Sequence, residues 1–67
     1  MDNLKKLRKQ FGYKCQDMAD ILGITKSFYW QIENKQRRLS YLMAVKIAKI
    51  FNTKPDIIFY DEFKNLD

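Results

Sequence analysis

Thr25, Lys26, Ser27 and Gln31 stand within seven residues of one another and carry two hydroxyls, an ammonium and a carboxamide. That set suits recognition by hydrogen bonding. Lys26 can donate to guanine O6 or N7, Gln31 can make a paired contact with adenine, and Ser27 is adaptable. Thr25 can offer its methyl to thymine or its hydroxyl to a phosphate. All four base pairs differ only in the major groove, so these side chains need a helix N-terminus that fits there. Covalent chemistry has much less to work with. The chain has no His, a single Cys15 with no base to activate it, no glycine-rich phosphate loop and no cluster with metal-ligand spacing. An enzyme is not expected, nor is a cofactor or a bound metal.

The elements that must hold these groups are visible in residues 15–34, CQDMADILGITKSFYWQIEN. Met18, Ala19 and Leu22 share a helical stripe with Cys15. Ala19 is small enough for a second helix to cross closely, and Gly23, four residues later, supplies the positive φ of a sharp turn. Ile24, Tyr29 and Ile32 then anchor the second helix from below. Thr25, Lys26, Ser27, Trp30 and Gln31 remain on faces free to touch something else. This is the layout of a helix-turn-helix. Phe28, Tyr29 and Trp30 are consecutive, so their directions differ by about 100° each and they cannot all face inward. With Tyr29 inward, Phe28 and Trp30 either shield the core margin or lie along the DNA edge.

Around this pair, periodicity predicts three more helices. Leu4, Leu7 and Phe11 mark one over about 3–11, with Asp2 or Asn3 as N-cap and Gly12 as stop. The pair itself spans about 15–22 and 26–33, the second capped by Thr25. Ser40 can cap a fourth over about 41–51, with Tyr41, Ala44, Ile47, Ala48 and Phe51 buried. Pro55 suits the first turn of a fifth, about 55–60, carrying Ile58 and Phe59. No segment alternates with period two, so an all-α, compact five-helix bundle is expected. The 67 residues allow one small core. We read residues 1–60 as the domain and 61–67 as a short acidic tail.

Charge supports a polyanionic partner. The net charge is +5, with +8 over residues 1–54 and −3 over residues 55–67. Lys35, Arg37 and Arg38 lie in the polar loop NKQRR, placed to meet DNA backbone beside the groove. One cysteine permits no internal disulfide, and no apolar run reaches the roughly 18 residues of a membrane span, so a cytoplasmic protein is expected without membrane contact. Leu42, Met43, Val45 and Ile50 make the fourth helix apolar on more than one face. Ile57, Tyr60, Phe63 and Leu66 crowd the end of the chain, which makes the last two helices a candidate homodimer surface. The alternative is that this apolar surface docks a protein partner, as in a helical interaction module or an antitoxin-like protein, or completes the chain's own core.

LKKLRKQFGY, MADILGITKS, QIEN and VKIAKIFN, read in order, resemble the phage-repressor and Cro type of helix-turn-helix protein, the Xre family, over about residues 3–60. The resemblance implies a lambda-repressor-like domain whose third helix enters the major groove as part of a dimer on a near-palindromic DNA operator. It implies a transcriptional regulator, in our reading a repressor of a phage, mobile element or small operon, with control by concentration, proteolysis or a regulatory protein partner. It also implies an ion pair between Arg8 and Glu33. Several positions depart from the family pattern. Lys14 and Cys15 stand where Thr-Gln usually braces a phosphate, leaving backbone N–H groups and the Lys14 charge for that task. Tyr29 replaces a β-branched aliphatic, so the small Ala19 and its surroundings must accommodate a ring. Lys35 replaces a favoured Gly, so either Asn34 takes the left-handed cap or Lys35 bears a strain of roughly 1 kcal/mol. Lys54 precedes Pro55 where Ser or Thr is usual.

Overall fold

A computed structural model describes residues 2–63 of the chain, with side chains described for residues 2–60. These residues form α1 (Asp2–Gln10), α2 (Cys15–Leu22), α3 (Lys26–Glu33), α4 (Tyr41–Ile50) and α5 (Pro55–Phe63), with no strand among them. α2 packs on α3, α4 on α5, and α1 on both α3 and α5. The Cα radius of gyration, 11.0 Å, is that of a folded chain of this length.

The helix starts follow local chemistry. Thr25 Oγ1 accepts from Phe28 N–H at 3.0 Å and Ser40 Oγ accepts from Met43 N–H at 3.1 Å, so both predicted caps close the first turns of α3 and α4. At α2 the cap works in reverse, with Lys14 N–H donating to Asp17 Oδ2 at 2.7 Å. α1 begins at Asp2 itself, so Asp2 acts as a first-turn acid at the positive helix pole rather than as the cap before it.

One device ends the first four helices. At Gly12, Gly23, Lys35 and Asn52 the chain turns left-handed, with φ of 76°, 71°, 59° and 55°. Beside each, the next amide reaches back five residues: Tyr13 to Arg8, Ile24 to Ala19, Gln36 to Gln31 and Thr53 to Ala48, at 2.7–3.1 Å. This is the Schellman arrangement, which satisfies carbonyls that a helix end would leave orphaned. Lys35 is therefore the residue that carries the left-handed strain, because Asn34 keeps φ at −101°. Lys35→Gly removes a strain of about 1–2 kcal/mol, partly offset by the extra freedom of the unfolded chain. The expected net gain is about 0.5–1 kcal/mol, read as a higher urea midpoint at unchanged slope.

The core gathers Leu4, Met18, Ala19, Tyr29, Ile32, Ala44, Ile47, Ala48, Phe51, Ile58 and Phe59, each at most 5% exposed. Two residues assigned to buried stripes are exposed. Phe11 falls in the turn after α1, not in the helix, and is 50% exposed, although its ring meets Phe51 edge-on at 5.0 Å. Tyr41 is 63% exposed: it is the first residue of α4, where no preceding helical turn shelters it. α4 ends at Ile50, leaving Phe51 as its cap, and α5 continues to Phe63 with a local departure from helical geometry at Phe59.

Candidate nucleic-acid interface

α3 sorts its residues by phase. With about 100° per residue, Tyr29, Ile32 and Glu33 share one side, and Lys26, Trp30, Ser27 and Gln31 follow one another across an arc of about 140° on the other. Burial agrees with that division. Tyr29, Ile32 and Glu33 are buried, Lys26, Ser27 and Trp30 are exposed, and Gln31 is half-buried. Thr25, also exposed, stands at the head of this face with its hydroxyl already accepting from Phe28. Trp30, whose place the residue pattern left open, is 49% exposed and lies between Lys26 and Ser27 in phase. Phe28 is half-buried on the far flank, against the core.

Charge placement adds a second observation. α1, α2 and α5 each have an acid in the first turn, Asp2, Asp17 and Asp56, matched to the positive end of the helix dipole. α3 has none and instead begins with Lys26. A cation at that pole is locally unfavourable, by about 0.3–1 kcal/mol. The arrangement becomes favourable when a polyanion faces the helix start.

Arg8 ties α3 to α1. Its Nε donates to Glu33 Oε2 at 2.8 Å and its Nη2 to Glu33 Oε1 at 2.9 Å, a two-pronged pair joining α1 to the end of α3. Its Nη1 donates to the Tyr13 carbonyl at 2.9 Å, which ties in the α1–α2 loop. Both side chains are largely removed from water, at 10% and 3% exposure. Burial alone would raise the Glu33 carboxyl, but the hydrogen bonds from Arg8, the neighbouring Tyr29 hydroxyl and the Arg8 charge outweigh it and hold the carboxyl below the usual range. The hydrogen bonds to Glu33 push the Arg8 guanidinium up despite its own burial. Tyr29 is driven far above its ordinary value, first by burial and then by Glu33. Its hydroxyl lies near that carboxylate without completing a well-formed hydrogen bond.

The residues expected at DNA backbone lie at the start of α2 and in the loop after α3. Lys14 is exposed at the cap of α2 and Cys15 is half-buried as its first residue. Gln16 Nε2 donates along the helix to Asp20 Oδ1 at 2.8 Å. Lys35, Arg37 and Arg38 are exposed in the loop after α3. Arg37 is nonetheless engaged: its Nε donates to Gln31 Oε1 at 3.1 Å, and its Cζ lies 4.2 Å from the centroid of the Phe28 ring. Nothing in the residue pattern signalled this contact, because a loop has no periodicity to read. Gly23 and Ile24 lie in the turn between α2 and α3, Ile24 partly buried against the core, while Ala19 is fully buried within α2. Of the proposed pairing residues, Ile57 and Tyr60 are 66% and 64% exposed, while Phe63 and Leu66 lie outside the described side chains. Among the described residues no group of three or more His, Cys, Asp or Glu could hold a metal ion, and no helix is long and apolar enough to cross a membrane.

A buried helix pair joined by a left-handed glycine, with one polar face of α3 turned outward, defines a helix-turn-helix. The chain matches the family described as helix-turn-helix domain over residues 2–60 and belongs to it. It is 33% identical to the uncharacterized HTH-type transcriptional regulator YgzD of Bacillus subtilis, covering 96% of this chain and 97% of that protein. It is 38% identical to YqaE, an uncharacterized HTH-type transcriptional regulator of the same organism, over 91% of this chain and 53% of YqaE. Identity to the B. subtilis HTH-type transcriptional regulator AnsR is 39%, over 84% of this chain and 48% of AnsR. The chain therefore spans about half the length of the latter two. No solved structure matches it.

Proposed function

We propose that this helix-turn-helix regulator represses transcription by occupying promoter DNA as a homodimer in the cytoplasm, with α3 of each copy in the major groove. The observation that carries the reading is the outward face of α3, where Lys26, Ser27 and Gln31 stand opposite the buried Tyr29, Ile32 and Glu33. Lys26, Ser27 and Gln31 contact base edges. Thr25 meets a thymine methyl or the adjoining phosphate, and Trp30 packs on the sugar edge or a thymine methyl. Lys14, the start of α2 at Cys15, Lys35 and Arg38 bind backbone. Exposed Ile57 and Tyr60 support pairing through α5, which sets the two reading helices about 34 Å apart on successive major grooves.

Selection of bound duplexes from a random library tests this reading. A near-palindromic site with half-sites about 10 base pairs apart is expected, bound by two copies and with affinity that falls steeply with salt. Recovery of no preferred duplex overturns it. A second reading has its own support: Tyr41, Leu42, Ile57 and Tyr60 are all more than 60% exposed and could dock a partner protein instead. Tight binding to a protein, together with salt-insensitive and non-selective behaviour toward DNA, favours that reading.

A further inference from the structure

We infer that Arg37, a loop residue, decides which base Gln31 reads, by holding its carboxamide with the carbonyl turned toward the protein. The inference rests on base readout by α3. The guanidinium is fixed from two sides: Nε donates to Gln31 Oε1 at 3.1 Å, and the Phe28 ring lies 4.2 Å from Cζ. Phe28 and Gln31 are three residues apart on one flank of α3, so a single planar group spans both. A guanidinium carries donors only, so the oxygen of the carboxamide faces Arg37 and its NH2 faces away.

That orientation changes the expected chemistry. A paired contact with adenine needs the carboxamide oxygen to accept from N6 while the nitrogen donates to N7. With the oxygen turned toward Arg37 and one of its lone pairs taken there, the NH2 is the end that Gln31 turns outward, and its donors match edges that only accept: guanine O6 and N7, or thymine O4. Arg37 is then a positioning residue for specificity. Its charge near the backbone is secondary. The expectation of an adenine contact at Gln31, made from residue type alone, gives way to an acceptor edge.

The test uses the selected operator and the full chain. Gln31→Ala first locates the base pair that Gln31 reads, as the position where preference is lost. Affinity for all four base pairs there is then measured at several salt concentrations for the wild type, Arg37→Ala and Arg37→Lys. The wild type is expected to prefer guanine or thymine on the contacted strand, and Arg37→Ala to shift the relative affinity toward adenine by about tenfold. Arg37→Lys keeps the charge but lacks the planar fork, so it should restore the salt dependence without restoring the preference. Two results overturn the inference while leaving base readout standing. One is a wild-type preference for adenine. The other is a uniform loss for Arg37→Ala across all four duplexes, with the salt slope lower by about one and fully recovered in Arg37→Lys. Failure of the wild type to select any site overturns the base-reading function as well. Circular dichroism of each variant confirms the fold, which the exposure of Arg37 leaves intact.

Discussion

Arg8→Ala is expected to lose about 3–5 kcal/mol of folding stability, because it removes the two-pronged countercharge of a Glu33 carboxylate that is only 4% exposed. Domains of ordinary size hold only about 5–15 kcal/mol in total, so unfolded chain should be measurable at room temperature. The double replacement Arg8→Met with Glu33→Leu is expected to cost less than the single change, since it removes both charges and fills their space. Acid distinguishes the variants further. In the wild type the Glu33 carboxyl is held below its unfolded value, so its contribution is present above the ordinary glutamate range and is lost as pH falls through the depressed value. In Arg8→Ala burial is opposed only by the Tyr29 hydroxyl and the Lys5 charge, so the carboxyl rises from its wild-type value. That variant should therefore lose less stability than the wild type as pH falls through the acid range. Urea unfolding at a series of pH values reads both slopes. Parallel profiles would show that the pair does not govern the acid response.

Lys26→Ala is expected to cost about 1–3 kcal/mol of binding at one base pair of the selected operator and to relax preference there. The same change should leave the fold intact or raise its stability by about 0.3–1 kcal/mol, because a cation leaves the positive pole of α3. Opposite signs for binding and stability mark a residue retained for contact rather than for folding. Competition binding against single-base variants of the operator measures the first effect, and thermal unfolding measures the second. Uniform weakening across all variants would move Lys26 from base readout to backbone contact.

The α2–α3 unit was legible in sequence because its signals are local. The spacing of Met18, Ala19 and Leu22 follows the helical period, Gly23 marks the left-handed cap, and Thr25 marks the restart. Arg8 and Glu33 are 25 residues apart, and their partnership came from family resemblance rather than from any pattern in the residues. Lys35 takes the left-handed cap, one of the two alternatives the sequence offered, and Asn52 takes another that residue type did not signal, both held by Schellman hydrogen bonds. Phe11 and Tyr41 continue the helical period in sequence, but they sit at helix ends where the packed neighbours have run out. Trp30 was left between core margin and open face, because three consecutive rings cannot be sorted by type, and the orientation of Gln31 was out of reach, because it is set by an arginine six residues away on an irregular loop.

The proposed function requires α3 to meet nucleobases with its outward face. Titration of isotopically labelled protein with the selected duplex, followed by backbone and side-chain amide resonances, reads that contact residue by residue. The largest shifts are expected at Thr25–Gln31, including the Trp30 indole and the Gln31 carboxamide, with smaller ones at Lys14–Gln16 and Lys35–Arg38. Shifts confined to α4 and α5, with the α3 resonances unmoved in a saturated complex, would contradict it.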